Sequence, residues 1–280
     1  MTISEAFDLY IFEGIKLQGG AQKTQANYVT AKASILQAVG DIPIALVSLD
    51  HVTRWKLYMD SRGNQVNTIK GNLGRLRSIL AFLKVRGIAV MDYRDITLPK
   101  VERKGIQPLD YKEVQQIIDV ASNPRDKAIV ACLFSTGCRI SELLNLNRGE
   151  IIDGAARVMG KGSKIRPVYF DKTSLELLGA YLNSRKDKLP PLFISGQYRR
   201  LTVSRVEQIL HVLASEAGIE KNVTPHVFRH STITDYIKNG ADMYAVQKIA
   251  GHASIQTTLN IYTHVSDKYT KEAFEKFHSR

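Results

Sequence analysis

Three short segments in the second half of the chain concentrate side chains able to act on a phosphate: TGCRISEL at 136–143, TPHVFRHS at 224–231 and AGHASIQTTLNIYTH at 250–264. Four of the seven histidines fall between His226 and His264. Arg139 and Glu142 stand three apart at a helix start, and His226 and Arg229 have the same spacing, so each pair shares one helix face. Two guanidiniums converging on a phosphodiester would clamp its non-bridging oxygens and stabilise a five-coordinate transition state, which is electrostatic catalysis without a metal. Such a site needs a nucleophile. Serine, cysteine and tyrosine are all able to serve; Tyr262, ten residues after His252 on what reads as the next helix, is close enough in sequence to face the same pocket.

Each residue also has a plainer reading. Arg139 and Glu142 make an ordinary helix-surface ion pair, and an aromatic on an amphipathic helix is more often core than catalytic. Tyr269 with Phe274 and Phe277 reads that way, as an apolar stripe. His226 and His230, four apart, suit a zinc site with His252 and His264, but no cysteine or carboxylate completes it.

A scaffold must hold these groups. At 280 residues two domains are expected, and 44% hydrophobic with 24% charged residues supports packed cores without disulfides or metals. Residues 1–98 read as helices only. Within them Ile69, Leu73, Leu76, Leu80 and Leu83 follow helical spacing as one buried face, while Lys70, Arg77 and Lys84 recur every seven residues along a flank. Between Asp60 and Asp92 lie six basic residues and no acid. Residues 99–108, PKVERKGIQP, read as a linker.

The second domain, 109–280, opens on a capping box, Asp110 with Glu113. Asn123-Pro124 starts a helix that ends at Gly137. Ala155–Phe170, with the turn KGSK, predicts a short hairpin; 171–183 and the remaining third read as helical, with Thr224-Pro225, Asp242 and Ser254 as starts and Gly240 and Gly251 as stops. The fold class is therefore mainly α: a helical N-terminal domain and an α-rich domain with a small antiparallel β-sheet.

A net charge of +12 favours a polyanionic partner through counterion release. No run of 18 apolar residues occurs and the N-terminus carries acids where a signal peptide carries base, so a cytoplasmic location is expected. Cys132 and Cys138 do not form a CxxC pair and read as buried thiols. Neither a GxxxxGK[ST] loop nor an acidic cluster for magnesium is present, so no cofactor is expected.

TGCRISEL, GKGSKIRP, HVFRH and GH followed by IYTH, in that order, resemble the boxes of the tyrosine recombinases and phage integrases. The likeness covers roughly 109–265; any one box occurs by chance, but four in order are specific. The resemblance implies a C-shaped DNA clamp, a core-binding domain at 1–98, and a catalytic domain at 109–280. It assigns Arg139 and Arg229 to phosphate binding and Tyr262 to nucleophilic attack. It makes His226 the group that helps remove the tyrosine proton, with Glu142 supporting Arg139 and His226. His252 is then the hydrogen-bond donor to the scissile phosphate, and Lys161 the acid for the departing 5′ oxygen. It also implies a 3′-phosphotyrosine, a four-way junction, and a tetramer on two double-stranded DNA sites, with the segment beyond Ser266 docked into a neighbouring protomer. An accessory protein and association with the nucleoid belong to the same expectation. Lys70, Arg77 and Lys84 on the flank, with Lys164 and Arg166 by the hairpin, are the expected DNA contacts. A simple Xer-like or mobile-element enzyme fits best; a type IB topoisomerase and a non-catalytic DNA-binding regulator are the alternatives.

Overall fold

The computed structural model describes residues 1–101, 105–160 and 164–251, and the chain divides into two compact units, Met1–Lys104 and Gly105–Arg280.

The described regular structure of the first unit is helical, apart from an isolated bridge between Thr2 and Pro43. Helix α1, Ile3–Leu9, starts on a capping box in which Thr2 N donates to Glu5 Oε2 at 2.9 Å, and it runs on into a π-helical stretch, Tyr10–Lys16. Helices α2 (Gln22–Val39), α3 (Leu49–Ser61) and α4 (Val66–Val85) follow. The apolar face read on α4 is the one it buries: Leu73, Leu76, Leu80 and Leu83 are inaccessible, with Ile79 beside them. Trp55 of α3 fills the centre, and its indole Nε1, which burial would otherwise leave unpaired, donates to Ser34 Oγ at 2.9 Å.

The second unit is built round α6, Pro124–Thr136. Ala128–Leu133 is buried on every side, the mark of a central helix rather than a surface one. Around it pack α5 (Tyr111–Val120), α8 (Lys172–Ser184) and α10 (Pro225–Lys238). Helices α7 (Ile140–Asn145), α9 (Val203–Glu216) and α11 (Met243–Ala250) complete the described α-helices. Strands β1 (Ala155–Met159) and β2 (Ile165–Tyr169) form the antiparallel hairpin, in the register Val158 opposite Arg166. The caps lie where the sequence places them: Asp110 accepts from Glu113 N at 2.9 Å, Thr224 from Val227 N at 3.2 Å, and Asp242 from Tyr244 N and Ala245 N at 3.0 Å.

One stretch departs from the helical expectation. Residues 185–202 form no helix, and arginines hold them by their carbonyls: Arg185 donates to Pro191 O at 2.7 Å, and Arg148 to Leu189 O at 2.9 Å. Pro190 and Pro191 carry no amide donor for a helix, and guanidinium forks satisfy carbonyls that a helix would have paired. No helix among the described residues is long and apolar enough to cross a membrane.

Candidate active site

The site begins where α6 stops. Gly137 takes the left-handed conformation, φ 54°, and a Cβ there would stand 3.0 Å from Thr232 Cγ2, so both the turn and the close approach of α10 call for glycine. The chain then runs extended through Cys138 to Arg139, the residue that caps α7. Burial pushes the thiol of Cys138 up to about 11 and that of Cys132 well above its ordinary value, so both are buried, protonated thiols.

Glu142, in the first turn of α7, is the hub. Its carboxylate is almost wholly buried and takes four hydrogen bonds. Oε2 accepts from Arg139 N at 2.8 Å and Arg166 Nη2 at 2.8 Å; Oε1 accepts from Arg139 Nη1 at 2.9 Å and Arg166 Nη1 at 3.0 Å. Burial alone pushes this carboxyl up, but the hydrogen bonds from Arg166 and from the Arg139 amide and guanidinium outweigh it and hold it below its ordinary value.

Arg229 arrives from α10. It is buried, donating Nη1 to Gly137 O at 2.8 Å and Nη2 to Ala250 O at the end of α11. Burial, with the positive charges of Arg139 and Arg166 beside it, brings it down to about 10, so it stays protonated at neutral pH. Three guanidiniums against one carboxylate leave an excess of two positive charges at one place. The side chain of Arg139 is 39% exposed and Arg166's 11%, so Arg139 is the more open of the two to an incoming anion.

His226 stands exposed on the first turn of α10, and Lys164 is exposed beside the hairpin turn. Lys161, His252 and Tyr262 lie outside the described residues, as do His264 and the segment beyond Ser266. Arg166, expected among the DNA contacts, has its side chain turned inward onto Glu142. The sequence held the signal, because period-two alternation puts Arg166 in phase with the buried Val168 and leaves Ile165, Pro167 and Tyr169 outward.

In the first unit, the flank of α4 is less bare than its composition suggests. Lys84 pairs with Asp92 at 2.7 Å, a carboxylate it shares with Arg94, and Arg77 lies 5.9 Å over the Tyr93 ring. Sequence reading passed over a polar groove between α2 and the start of α4, lined in part by Asn27, Gln37, Arg62, Asn67 and Arg75. Amides and guanidiniums are the groups that pair with base edges, but scattered over two helices and the end of a third they make no motif.

Comparison with known proteins decides the family, for the model of the phage integrase family matches residues 107–269. The chain belongs to the phage integrase family. Tyrosine recombinase XerD of Oceanobacillus iheyensis is 36% identical to this integrase-family chain over 239 residues, 80% of each protein. Tyrosine recombinase XerA of Pyrococcus horikoshii is 33% identical over 207 residues, 72% of this chain and 71% of the relative. Among solved structures, XerA recombinase shares 27% identity with a TM-score of 0.57, each chain 99% covered. The Tn1549 transposon integrase in complex with transposon right-end DNA superposes at a TM-score of 0.80 over 99% of each chain, at 19% identity, a likeness of fold. The family member is thus a tyrosine recombinase, an enzyme of site-specific recombination.

Proposed function

We propose that this chain cuts and rejoins duplex DNA at a specific site through Tyr262. The observation that carries the reading is the cluster of Arg139 and Arg229 about Glu142, which together with Arg166 leaves two positive charges to spare where a phosphodiester would sit. The Tyr262 hydroxyl attacks the scissile phosphorus as His226 helps take its proton. The bond from phosphorus to the 5′ oxygen breaks, Lys161 protonates that oxygen, and a 3′-phosphotyrosine and a free 5′-hydroxyl result. Arg139, Arg229 and His252 hold the non-bridging oxygens. A 5′-hydroxyl from a partner strand then attacks the phosphotyrosine and releases Tyr262, so the phosphodiester is remade with no net consumption of bond energy, ATP or metal. Each arginine should contribute on the order of 10²- to 10³-fold in rate, as an oxyanion donor does.

Residues 109–280 are the catalytic domain, residues 1–98 the core-binding domain, and 99–108 the linker. Lys70, Arg77 and Lys164 contact the backbone of double-stranded DNA, with Lys84 contributing less because Asp92 already neutralises it. The excess charge of +12 supports DNA as the partner. Four protomers assemble on two sites, exchange passes through a four-way junction, and the protein works on the nucleoid.

The test uses wild-type and Tyr262→Phe protein on nicked duplexes tiled across the flanks of its own gene. A detergent-stable, protease-sensitive adduct from wild type alone is expected. Binding by both proteins with no adduct from either would reduce the protein to a DNA-binding regulator, whereas supercoil relaxation without sequence preference would make it a topoisomerase.

A further inference from the structure

The phosphate chemistry above assigns Arg166 no contact with DNA, yet three hydrogen bonds hold its guanidinium to protein oxygens. Strand β2 points it inward beside Val168, opposite Val158. Its guanidinium forks onto both oxygens of Glu142, at 3.0 and 2.8 Å, and its Nε donates to Ile249 O at 3.1 Å. With two further hydrogen bonds from Arg139, the four lone-pair directions of the carboxylate are filled. Glu142 therefore cannot turn without breaking the fork, and the Nη1 of Arg139 is fixed with it.

The other edge of Arg166 faces the end of α11. Two successive carbonyls of that last turn are taken by arginines, Ile249 O by Arg166 and Ala250 O by Arg229. Cations are favoured there, because the unpaired carbonyls of a helix C-terminus carry its negative end. Gly251 closes over the guanidinium at φ 63°, so near that a Cβ would stand 2.6 Å from Arg166 Nε and 2.8 Å from its Cδ. One side chain thus keys three elements together: α7 through Glu142, the hairpin that bears it, and the last turn of α11.

Resting on the recombinase reading, we infer that Arg166 is a positioning residue. It touches no DNA; it orients Arg139 through Glu142 and seats the end of α11 one residue before His252. Its Nε and both Nη atoms are directed to protein oxygens, two of them on the one carboxylate that also holds Arg139.

The experiment compares wild type, Arg166→Gln and Arg166→Lys, each confirmed folded by thermal melting, for duplex affinity across a salt series and for single-turnover adduct formation on the nicked duplexes. Arg166→Gln is expected to keep the affinity and salt slope of wild type, since no phosphate contact is lost. Its adduct formation should fall roughly 10- to 100-fold, the cost of a misplaced catalytic group. Arg166→Lys should recover only part, because an ammonium cannot span both oxygens of Glu142. In an Arg139→Lys background the Arg166→Gln change should cost less than about threefold, since residues acting along one path are not additive.

If Arg166→Gln fails to fold, the double variant Glu142→Leu/Arg166→Met replaces the buried pair by an apolar one; it should fold, bind with the wild-type salt slope and lose cleavage. A reduced salt slope for Arg166→Gln would make Arg166 a phosphate ligand, wild-type cleavage would make it packing alone, and an undiminished cost in the Arg139→Lys background would mean it acts independently; each overturns the inference. No adduct from wild type would overturn the recombinase reading and this inference with it, an outcome distinct from a wild-type adduct with Arg166→Gln unimpaired.

Discussion

Glu142 shows how much of this site rests on one buried charge. Its side chain is 4% exposed, and three arginine groups, the backbone amide of Arg139 and the guanidiniums of Arg139 and Arg166, make its ionised form tolerable there. Because the folded carboxyl lies below its ordinary value, its stabilisation is complete above the unfolded value of about 4.3 and is lost as the pH falls through the depressed folded value. Glu142→Gln, which sets an amide donor against guanidinium donors, should therefore cost about 3 kcal/mol in urea unfolding at pH 7. The gap from wild type should narrow as the pH falls through the depressed folded value, where the wild-type carboxyl also gains a proton. A gap of constant size at every pH would assign Glu142 a packing role with no part for its charge.

At the scale of elements, the ends of helices do most of the placing. Gly137 ends α6 so that Arg139 can cap α7, and Gly251 ends α11 against Arg166. Both stops were legible, since a glycine after a helical period is a stop signal, as were the capping box at Asp110, the hairpin and the buried face of α4. What one strand of letters does not carry is the partner across space. Nothing local says that Arg166 meets Glu142 24 positions earlier and Ile249 83 positions later, or that Asp92 folds back on Lys84. The irregular run at 185–202 carries a local signal in Pro190-Pro191, but part of its order comes from Arg148, 41 positions before the carbonyl of Leu189 that it holds. The two kinds of glycine demand can be separated. Gly218, at φ 68°, has open space where a Cβ would go, so Gly218→Ala bears backbone strain alone, about 1 kcal/mol. Gly251→Ala bears that and a collision with Arg166, so it should cost more on thermal unfolding and slow adduct formation, while Gly218→Ala leaves cleavage unchanged. Equal thermal costs for the two would mean that Arg166 yields freely and that the fit at α11 constrains little.

For the whole molecule, assembly and catalysis should be separable, because the described residues of each unit already enclose a core of their own, Trp55 with Phe7 in the first and Phe193 with Phe228 in the second. Residues 267–280 carry Tyr269, Ala273, Phe274 and Phe277 at a spacing that would make one apolar side of a helix. An apolar side on a terminal segment stabilises either its own domain or a neighbour, and the two differ in what a truncation removes. A chain ending at Ser266 keeps every residue assigned to chemistry and nearly all of the positive charge that binds DNA. It should occupy a single site with wild-type affinity and salt slope, yet fail to pair two sites, which native gels and light scattering of the DNA complexes would report. Loss of thermal stability in the truncated protein without DNA would instead place the segment on its own domain, and a truncated protein that still assembles four protomers on two sites would remove the segment from assembly altogether.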